Sequence, residues 1–435
     1  MDRKYKDSGI EWIGKIPETW EVSQLSNLFK EHSKRNIGIQ ENNLLSLSYG
    51  SIIRKDINDN GGLLPESFEG YNIIEKDDIV FRLTDLQNDK RSLRTGLVKE
   101  RGIITSAYVT VRKRDYKNSS SYFHYLFHSC DECKIFYGLG AGVRQGMNFQ
   151  ELKKLGIVVP PLSEQKRIAD YLDEKCGEID SLIALQEHMI EKLKAYKQSI
   201  ITEAVTKGLD TNAKLVPSGI DWIGDIPEGW QTKPFKELFR TGKGLSFTKA
   251  DLVKDGIPVI SYGQVHSKQN KGTRIDKVLV RFVPEEITKS GESSKVNVGD
   301  FIFADTSEDL SGCGNCVYVD REIGLYAGYH SVIAFSKRKK SNTYLAYLFL
   351  TDCWRSQIRC RVSGIKVFSI SQAIIKQTSI ILPSENEQEA IATYLDEKCA
   401  DIDRLIALKQ QKIESLKDYK KSVIYEAVTG KTTIE

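Results

Sequence analysis

The sequence predicts an α+β fold in which two similar, strand-rich globular domains are joined by two long helices packed as a coiled coil. Three observations predict this fold. Most of the chain is an internal repeat of two copies. In each copy, β-branched and aromatic runs alternate with turn residues, and the copy ends in a long segment of helical periodicity. With 435 residues, 40% apolar and 28% charged, the chain has the size and balance of a soluble protein of two or three domains.

Two landmarks define the repeat. SGIEWIGKIPETW at 8–20 returns as SGIDWIGDIPEGW at 218–230, a shift of 210, and YLDEKC at 171–176 returns unchanged at 394–399, a shift of 223. The tryptophans of the first landmark stand at matching positions, and we expect them to pack the domains against the helices. They are Trp12, Trp20, Trp222 and Trp230.

Between the landmarks the copies share a pattern but few identities. Runs such as GIITSAYVTVR, GIPVISY and DFIFA, broken by Gly, Asn and Asp, predict short strands. Each copy closes with an apolar strand and a proline stop, KKLGIVVPP at 153–161 and TSIILP at 378–383. We therefore place the first domain at 1–160 and the second at 209–383.

The remaining segments, 161–208 and 384–435, predict two helices whose seam positions step by four and three. In the first copy these positions are Leu172, Cys176, Ile179, Ile183, Gln186, Ile190, Leu193, Lys197, Ile200 and Ala204. The second copy repeats the spacing from Leu395 to Ala427.

Capping residues set the predicted helix ends. Ser163 is placed to cap the first helix, and Ser384 with Glu387 forms a capping box for the second. Gly208 and Gly430 are placed as stops.

Each helix would run about 40 residues, or about 60 Å, so its seam needs a partner, and the other helix is the economical one. Parallel packing would put both domains at one end. Antiparallel packing would put one at each end and create a pseudo-twofold axis. The polar seam residues Gln186 and Lys409 fall near mid-helix, where they can fix the register.

These blocks resemble the specificity subunits of Type I restriction-modification systems. The resemblance rests on SGIEWIGKIPETW, on PPLSEQKRIADYLDEKCGEIDSLI and its second copy NEQEAIATYLDEKCADIDRLI, and on the helix ends EAVTKG and EAVTGK. It implies two target-recognition domains, each reading one half of a bipartite, asymmetric DNA sequence. It also implies that the helices pair antiparallel, with pseudo-twofold symmetry, and set the unread spacer.

The resemblance further implies a non-catalytic subunit that scaffolds two methyltransferase subunits, together with motor and nuclease subunits. S-adenosylmethionine, ATP and Mg²⁺ would then bind to those partners and not to this chain. The residues agree, because the sequence has no G-x-x-x-x-G-K-[ST] phosphate loop, no N-P-P-[YF] run and no H-E-x-x-H. A self-contained restriction and methylation enzyme is therefore disfavoured.

Candidate DNA contacts are basic, amide or aromatic residues in loops or at strand ends, because such side chains reach phosphates and groove edges. In the first domain they are Tyr49, Arg91, Arg94, Tyr108, Arg144 and Gln145. In the second they are Lys243, Gln264, His266, Tyr329, His330 and Lys366. The alternative for each is an ordinary surface loop, and for His330, which aligns with Tyr108 at a shift of 222, a place lining the core.

Apolar residues beside the seam widen the apolar stripe of the helices and predict a docking surface for a partner protein. They are Leu182, Leu185, Met189, Leu405 and Leu408. The alternative is a wider internal seam.

Composition leaves a second class of function open. A net charge of +4 neither requires nor excludes nucleic acid, so a coiled-coil scaffold without DNA specificity remains the alternative. The CxxC pairs, Cys130 with Cys133 and Cys313 with Cys316, lie far apart in sequence and suggest reduced thiols more than a zinc site. Without a signal peptide or a membrane-spanning run, we expect a cytoplasmic protein with no membrane partner.

Overall fold

The computed structural model describes residues 3–56, 65, 67–86, 93–139, 146–289, 291–338 and 341–434. The chain forms two compact units, Met1–Glu187 with Lys409–Glu435, and His188–Leu408. We call the strand-rich part of the first unit head 1 (residues 3–161) and that of the second head 2 (residues 208–384). Each unit therefore holds one head and one segment of each long helix.

Head 1 is built from short strands and helices. Its strands are β1 Tyr5–Asp7, β2 Lys15–Pro17, β3 Glu21–Gln24, β4 Phe29–Glu31, β5 Leu45–Ser48, β6 Ser51–Arg54, β7 Asn72–Ile74, β8 Ile79–Phe81, β9 Thr95–Leu97, β10 Gly102–Ile104, β11 Val109–Lys113 and β12 Gly156–Val159. Its helices are α1 Leu25–Leu28, α2 Ser120–Glu132, α3 Ile135–Leu139 and α4 Phe149–Leu152, and the long helix α5 Leu162–Lys207 follows.

Head 2 repeats this plan with additions. Its strands are β13 Leu215–Pro217, β14 Asp225–Pro227, β15 Gln231–Pro234, β16 Phe239–Lys243, β17 Ile257–Ile260, β18 Arg281–Val283, β19 Phe301–Ala304, β20 Thr306–Ser307, β21 Cys316–Tyr318, β22 Tyr326–Ala327, β23 Ser331–Ser336, β24 Phe368–Ser369 and β25 Ser379–Leu382. Its helices are α6 Phe235–Leu238, α7 Tyr262–Val265, α8 Glu285–Lys289, α9 Thr343–Phe349, α10 Asp352–Arg359 and α11 Gln372–Lys376, before the long helix α12 Glu385–Val428. Short 3-10 helices lie at Lys249–Asp251, Lys277–Leu279 and Glu292–Ser294.

A four-stranded antiparallel sheet forms the centre of each head. Its order is β4-β11-β8-β9 in head 1 and β16-β23-β19-β21 in head 2, so the strands match one for one. Strands such as IVF at 79–81 and FIFA at 301–304 are wholly apolar because both faces of the sheet are buried. The first and last strands of each head also pair, β3 with β12 and β15 with β25.

The two helix segments within each unit run antiparallel. In the first unit Lys420 forms an ion pair with Asp180 at 2.7 Å, and Lys409 donates a hydrogen bond to Gln186 at 3.3 Å. Residue numbers therefore fall along one helix as they rise along the other. In the second unit, Lys197 meets Asp403 at 2.7 Å.

The helix ends follow the predicted glycines but not every predicted cap. Gly208 and Gly430, at φ +74° and +73°, stand just beyond the two helices in the left-handed conformation that favours glycine. Helix α5 begins at Leu162, so Ser163 lies inside its first turn and is not its N-cap. The Glu387 carboxylate accepts hydrogen bonds from the Trp230 indole, which gives this residue a tertiary role.

Indole and phenol hydrogen bonds tie each head to the helices. Trp20 Nε1 donates to Glu164 at 2.8 Å, as Trp230 Nε1 does to Glu387 at 3.1 Å. The predicted packing role is thus confirmed for these two tryptophans, whereas Trp222 is half exposed. A matched pair of buried tyrosines adds to these ties, because the Tyr122 hydroxyl donates to the carbonyl of Val428 and the Tyr344 hydroxyl to that of Val205, each at 2.9 Å.

Candidate nucleic-acid interface

Each head carries a polar groove beside its helix segments. The head 1 groove, about 730 Å³, is lined by Tyr49, Lys76, Lys99, His124, His128 and Lys420, among others. The head 2 groove, about 980 Å³, is lined by Tyr262, His266, His330, Arg355, Arg359 and Val367, among others. Cationic and aromatic side chains of this kind suit phosphates and bases. Three carboxylates also line each groove, Asp77, Asp173 and Asp180 in head 1 and Glu308, Asp309 and Asp352 in head 2.

The two grooves occupy equivalent places in the repeat. Tyr49 and Tyr262 each follow a strand, β5 or β17, in the same triplet SYG. His128 in the first groove aligns with Leu350 in the second, each just after the sequence YxxYLF. The duplicated scaffold therefore presents different side chains at the same position.

Tyr49 is the most prominent predicted residue of head 1. Its side chain is 79% exposed and its backbone has φ +43°, a conformation that costs free energy for a residue with a side chain. Gly50, at φ +81°, backs onto Leu93, where an added Cβ would lie 3.1 Å from that side chain. The tight turn holds the tyrosine ring out at the rim of the groove.

His330 in head 2 shares the unusual backbone conformation of Tyr49, although the two do not stand at matching positions. It also has a positive φ, +52°, and its Nδ1 lies 3.3 Å from Asp305 Oδ1. Its ring is 5.4 Å from that of Tyr262 and 5.9 Å from that of Tyr329, and the Tyr329 ring lies 5.0 Å from that of Phe247. Its counterpart at a shift of 222, Tyr108, is only partly exposed and lies just before β11, so the two heads differ here in both chemistry and exposure.

Two further predicted residues of head 2 are held by internal bonds. His266 Nε2 lies 2.8 Å from the carbonyl oxygen of Thr306, and its Nδ1 lies 3.2 Å from the side-chain amide of Asn315. The Gln264 carbonyl accepts from the backbone of Ser261 as part of a capping box. His266 therefore forms part of the groove wall, whereas Gln264 serves as a helix cap and is not among the residues that line the groove.

The remaining predicted lysines are exposed. Lys243 lies at the end of β16, and Lys366 lies in the loop between α10 and β24. Both are free to meet phosphates. Arg91, Arg144 and Gln145 lie outside the described residues.

Arg94 requires a correction. Its side chain is fully buried, and its guanidinium donates to the carbonyl oxygens of Arg82, Thr84 and Asp85 at 2.8 to 3.2 Å. It also donates to the Tyr137 hydroxyl at 3.2 Å. Because burying an arginine requires such partners, these bonds give Arg94 a role in holding the end of β8 and its following loop, not in contacting DNA.

Some groove residues escaped the sequence prediction. Arg355 and Arg359 stand four apart on α10, where the run WRSQIRCR was the available signal. Burial lowers the pKa of Arg355, and its Nε donates to the carbonyl of Phe349 at 2.8 Å. Arg359 pairs with Asp352 at 2.7 Å.

Two histidines in the wall of the head 1 groove were also missed. Burial lowers the pKa of His124 to about 3 and that of His128 to about 4, with nearby positive charges from Lys99, Lys420 and Lys421 adding to the effect. His124 Nδ1 is buried without a hydrogen-bond partner among the described residues. Both imidazoles are therefore neutral at physiological pH.

The helices expose the predicted apolar stripe. Leu182 and Leu185 in the first unit, and Leu405 and Leu408 in the second, are each about half exposed, and Met189 is nearly so. The alternative of a wider internal seam would have buried them. Tyr196 and Tyr419, matched at the shift of 223, share this exposure and were not predicted. Each unit thus presents two leucines and one tyrosine.

All eight cysteines are free thiols, and five of them are buried. Burial raises the pKa of Cys316 to about 12. Over the described ranges, no group of three or more His, Cys, Asp or Glu side chains is arranged to hold a metal ion. In that same part of the chain, no helix has the length and apolar character needed to cross a membrane.

Comparison with known proteins identifies the family. The model of the Type I restriction modification DNA specificity domain matches residues 17–195 and 227–418. The MjaVIII specificity subunit of Methanocaldococcus jannaschii is 24% identical over 429 residues, covering 97% of this chain and 95% of that protein. The EcoKI specificity subunit of Escherichia coli K12 is 24% identical over 214 residues, covering 48% and 45%.

Solved structures share the fold. A chain from work on complex assembly and conformational transition of the type I R-M system matches with a TM-score of 0.69 at 14% identity, covering 96% of this chain and 99% of that one. The HsdS subunit of Thermoanaerobacter tengcongensis matches with a TM-score of 0.52 at 13% identity, covering 96% and 98%. The predicted fold class is confirmed, as are the predicted resemblance and the non-catalytic role. The chain belongs to the Type I restriction modification DNA specificity family.

Proposed function

We propose that this chain reads a bipartite, asymmetric DNA sequence, one half with each head, and scaffolds the methyltransferase subunits that modify it. The observation that carries the proposal is the pair of equivalent grooves on a duplicated scaffold. One fold used twice supplies two similar reading surfaces, and unlike residues in them supply two different preferences.

The asymmetry follows from residues at matching positions. Tyr108 in head 1 stands where His330 stands in head 2, and His124 and His128 stand where Ala346 and Leu350 stand. Since base identity is read through hydrogen-bond donors, acceptors and apolar contacts, unlike side chains select unlike bases. Two identical heads would instead favour a palindrome.

Phosphate contacts come from exposed cations around the grooves. Lys76 and Lys99 line the groove of head 1, while Lys243 and Lys366 are exposed in head 2. Such contacts fix the position of a duplex without reading it. They also explain how a chain of net charge +4 can bind DNA, since the charge needed is local.

The scaffolding role rests on the exposed stripe. Each unit offers the same set, Leu182, Leu185 and Tyr419 in one and Leu405, Leu408 and Tyr196 in the other. Leucines and tyrosines of this kind form the centre of many protein interfaces. Because the set occurs twice, two copies of one methyltransferase subunit are the fitting occupants, with motor and nuclease subunits joining the assembly.

We also propose that this chain holds no cofactor of its own. The resemblance to specificity subunits implies that S-adenosylmethionine, ATP and Mg²⁺ bind to the partner subunits. The work of this chain would then be confined to choosing the site, in the cytoplasm where the DNA lies.

The test is a methylation map. The chain is expressed with its methyltransferase subunit in a host lacking other adenine methylation, and modified adenines are located by single-molecule sequencing. We expect a gapped two-part motif that disappears when this chain is omitted. The double variant Tyr329→Ala, His330→Ala should relax one half of the motif, and Tyr49→Ala the other half.

A contiguous motif would contradict the proposal, as would methylation that persists without this chain. Either result would support a coiled-coil scaffold without DNA specificity. If one head's substitutions altered both halves of the motif equally, the assignment of one half-site to each head would be wrong.

A further inference from the structure

The loop between α10 and β24, residues 360–367, carries an unusual side chain. Ile365 is 99% exposed, more than any other large apolar side chain in the described part of the protein. A fully exposed β-branched residue contributes no burial to folding. Burial of the Ile365 side chain would therefore require a ligand or partner molecule outside this chain.

Backbone hydrogen bonds hold the C-terminal end of this loop against the rest of head 2. Strand β24 pairs with β20 through Ser307↔Phe368 and Thr306↔Ser369, and the backbone nitrogen of Ile370 donates to the carbonyl of Asp305 at 2.7 Å. At Gly364 an added Cβ would lie 2.1 Å from the carbonyl oxygen of Val367, so the turn closes too tightly for any other residue. Ile365 and Lys366 are the two residues inside this turn, between Gly364 and Val367.

Charge around Ile365 favours a polyanion. From residue 360 to residue 369 the sequence has two cations, Arg361 and Lys366, and no carboxylate, while Arg359 before them is paired with Asp352 at 2.7 Å. Lys366, the immediate neighbour, is exposed. A purely apolar protein groove would have to bury or displace this lysine, whereas a DNA backbone would attract it.

The loop also borders the proposed reading surface. Val367, two residues beyond Ile365, lines the head 2 groove together with Tyr262 and His330. An apolar tip with a cation beside it, next to a groove that meets DNA, matches the arrangement by which proteins insert aliphatic side chains between base pairs.

We propose that Ile365 is a wedge that enters the duplex between two base pairs of the half-site bound by head 2, while Lys366 neutralises an adjacent phosphate. The inference rests on the proposed function and adds local unstacking to it. Base steps that unstack readily, pyrimidine followed by purine, are the expected point of entry. Specificity would then arise partly from how easily a sequence deforms.

Head 1 has a similar order of residues in its sequence. Val143 is followed by Arg144 at a shift of 222 from Ile365 and Lys366, although both lie outside the described residues. Just beyond them, the backbone nitrogen of Met147 donates to the carbonyl of Leu83 at 2.9 Å, which corresponds to the bond from Ile370 to Asp305. The proposal is confined to Ile365.

The experiment uses the assembled complex of this chain with its methyltransferase subunits. The probes are duplexes carrying the motif found by methylation mapping, with 2-aminopurine placed in turn at each position of the head 2 half-site, and a scrambled duplex for comparison. With the wild type we expect fluorescence to rise at one position, because unstacking relieves quenching. Ile365→Ala should abolish that rise and weaken binding to the motif about tenfold.

Two variants serve as controls. Ile365→Leu keeps an aliphatic wedge and should retain both the fluorescence rise and most of the affinity. Val278→Ala removes an exposed aliphatic side chain from a 3-10 helix of the same head that does not line the groove, and should change neither.

The outcomes separate the wedge from the function beneath it. If the wild type does not distinguish the motif from the scrambled duplex, the proposed function fails and the wedge with it. If it does, but no position brightens or Ile365→Ala leaves the fluorescence and affinity unchanged, the wedge is wrong and the function stands. If Ile365→Ala failed to assemble with the methyltransferase subunits but still bound the motif with the fluorescence rise, the wedge would be wrong and Ile365 would instead contact a protein.

Discussion

Trp20 and Trp230 perform the same task in the two units, yet their surroundings differ. Trp20 is fully buried and its indole donates to Glu164, which also forms an ion pair with Arg3. Trp230 donates to Glu387 and is only partly covered. A hydrogen bond to a charged acceptor is worth about 1.5–3 kcal/mol, and the cavity left by a smaller ring adds to the loss where packing is complete.

We therefore expect Trp20→Phe to lower the free energy of unfolding of the first unit by about 3 kcal/mol, and Trp230→Phe to lower that of the second by about 2 kcal/mol. Hydrogen exchange followed by mass spectrometry would assign each loss to its unit. Trp222→Phe, at a half-exposed position without these bonds, should cost under about 0.5 kcal/mol. Equal losses at all three positions would show that the indole bonds are unimportant.

His124 and His128 predict a pH dependence of stability in head 1. Burial depresses the pKa of both, to about 3 and about 4, so the folded protein stays unprotonated where the unfolded chain already binds protons near pH 6.5. The contribution of the two neutral histidines to the free energy of unfolding is therefore fully present above pH 6.5 and is lost as the pH falls toward 4. The loss should approach about 1.4 kcal/mol per pH unit for each histidine.

Head 2 supplies the matched control, since Ala346 and Leu350 stand at the equivalent positions. The variant His124→Ala, His128→Leu should flatten the decline in head 1 stability between pH 7 and 5, measured by urea denaturation. A decline as steep as that of the wild type would show that other groups carry it. Asp131 cannot, because burial raises its pKa to about 6, and a raised carboxyl pKa favours folding at low pH.

The sequence identified residue types at the candidate site better than it identified their exposure. Tyr49 and His330 are exposed next to strand ends, where the sequence placed them, and their contact with DNA stays a prediction. Arg94 was misjudged because a basic run gives no sign of which member turns inward, and only the folded chain brings the carbonyls of Arg82, Thr84 and Asp85 around its guanidinium. Arg355 was missed because the run WRSQIRCR does not by itself show that its helix lines a groove, which depends on the fold.

At the scale of elements, the long helices were the most predictable part. Their spacing of four and three extends over ten positions, and glycine marks both C-termini, so local chemistry determines them. The start of α5 at Leu162 was less predictable because Pro161 at the strand end already accepts the first helical hydrogen bond, from the backbone of Gln165. The pairing of short strands depends on distant segments, and patterns alone gave their presence but not their order.

The exposed stripe predicts how many partners the chain holds. The double variant Leu182→Ser, Leu185→Ser should remove one of two methyltransferase subunits, and Leu405→Ser, Leu408→Ser the other, because each pair loses the apolar area its partner would cover. Native mass spectrometry of coexpressed complexes would count the subunits. Ala184→Ser, at an exposed position between the two leucines in sequence, should leave two bound.

Complete loss of both subunits from either double variant would mean that the two sites are not independent. Retention of both subunits by both variants would show that the stripe is not the docking surface.

At the scale of the whole molecule, the antiparallel pairing of helix segments predicts a spacer that depends on helix length. Inserting seven residues after Glu187 and seven after Leu408 keeps the heptad and adds about 10 Å to both helices. The unread spacer between half-sites should then lengthen by about three base pairs. Methylation mapping of the variant would reveal the new spacing.

The same insertion in one helix alone should abolish recognition, because the seam residues of the two helices would no longer face each other along their whole length. Loss of binding to every spacer length in the double insertion would count against a role for the helices in setting the spacing. The duplication that underlies this prediction was readable from the sequence, because two long blocks recur. That each compact unit takes a segment from both helices depends on the helices being antiparallel, a direction that the resemblance implied and the seam spacing alone did not fix.

That shared construction has a consequence for how the protein is made. The core of head 1 includes Ile424, Ala427 and Val428, and the Tyr122 hydroxyl bonds to a carbonyl 306 residues further along the chain. At about 5–20 residues per second, a ribosome needs about 15 to 60 s to cover that interval. The first domain to emerge is thus the last to be completed. During that time the surface that Ile424, Ala427 and Val428 later cover stays exposed. A chain truncated just before these residues would therefore have its defect in the N-terminal head.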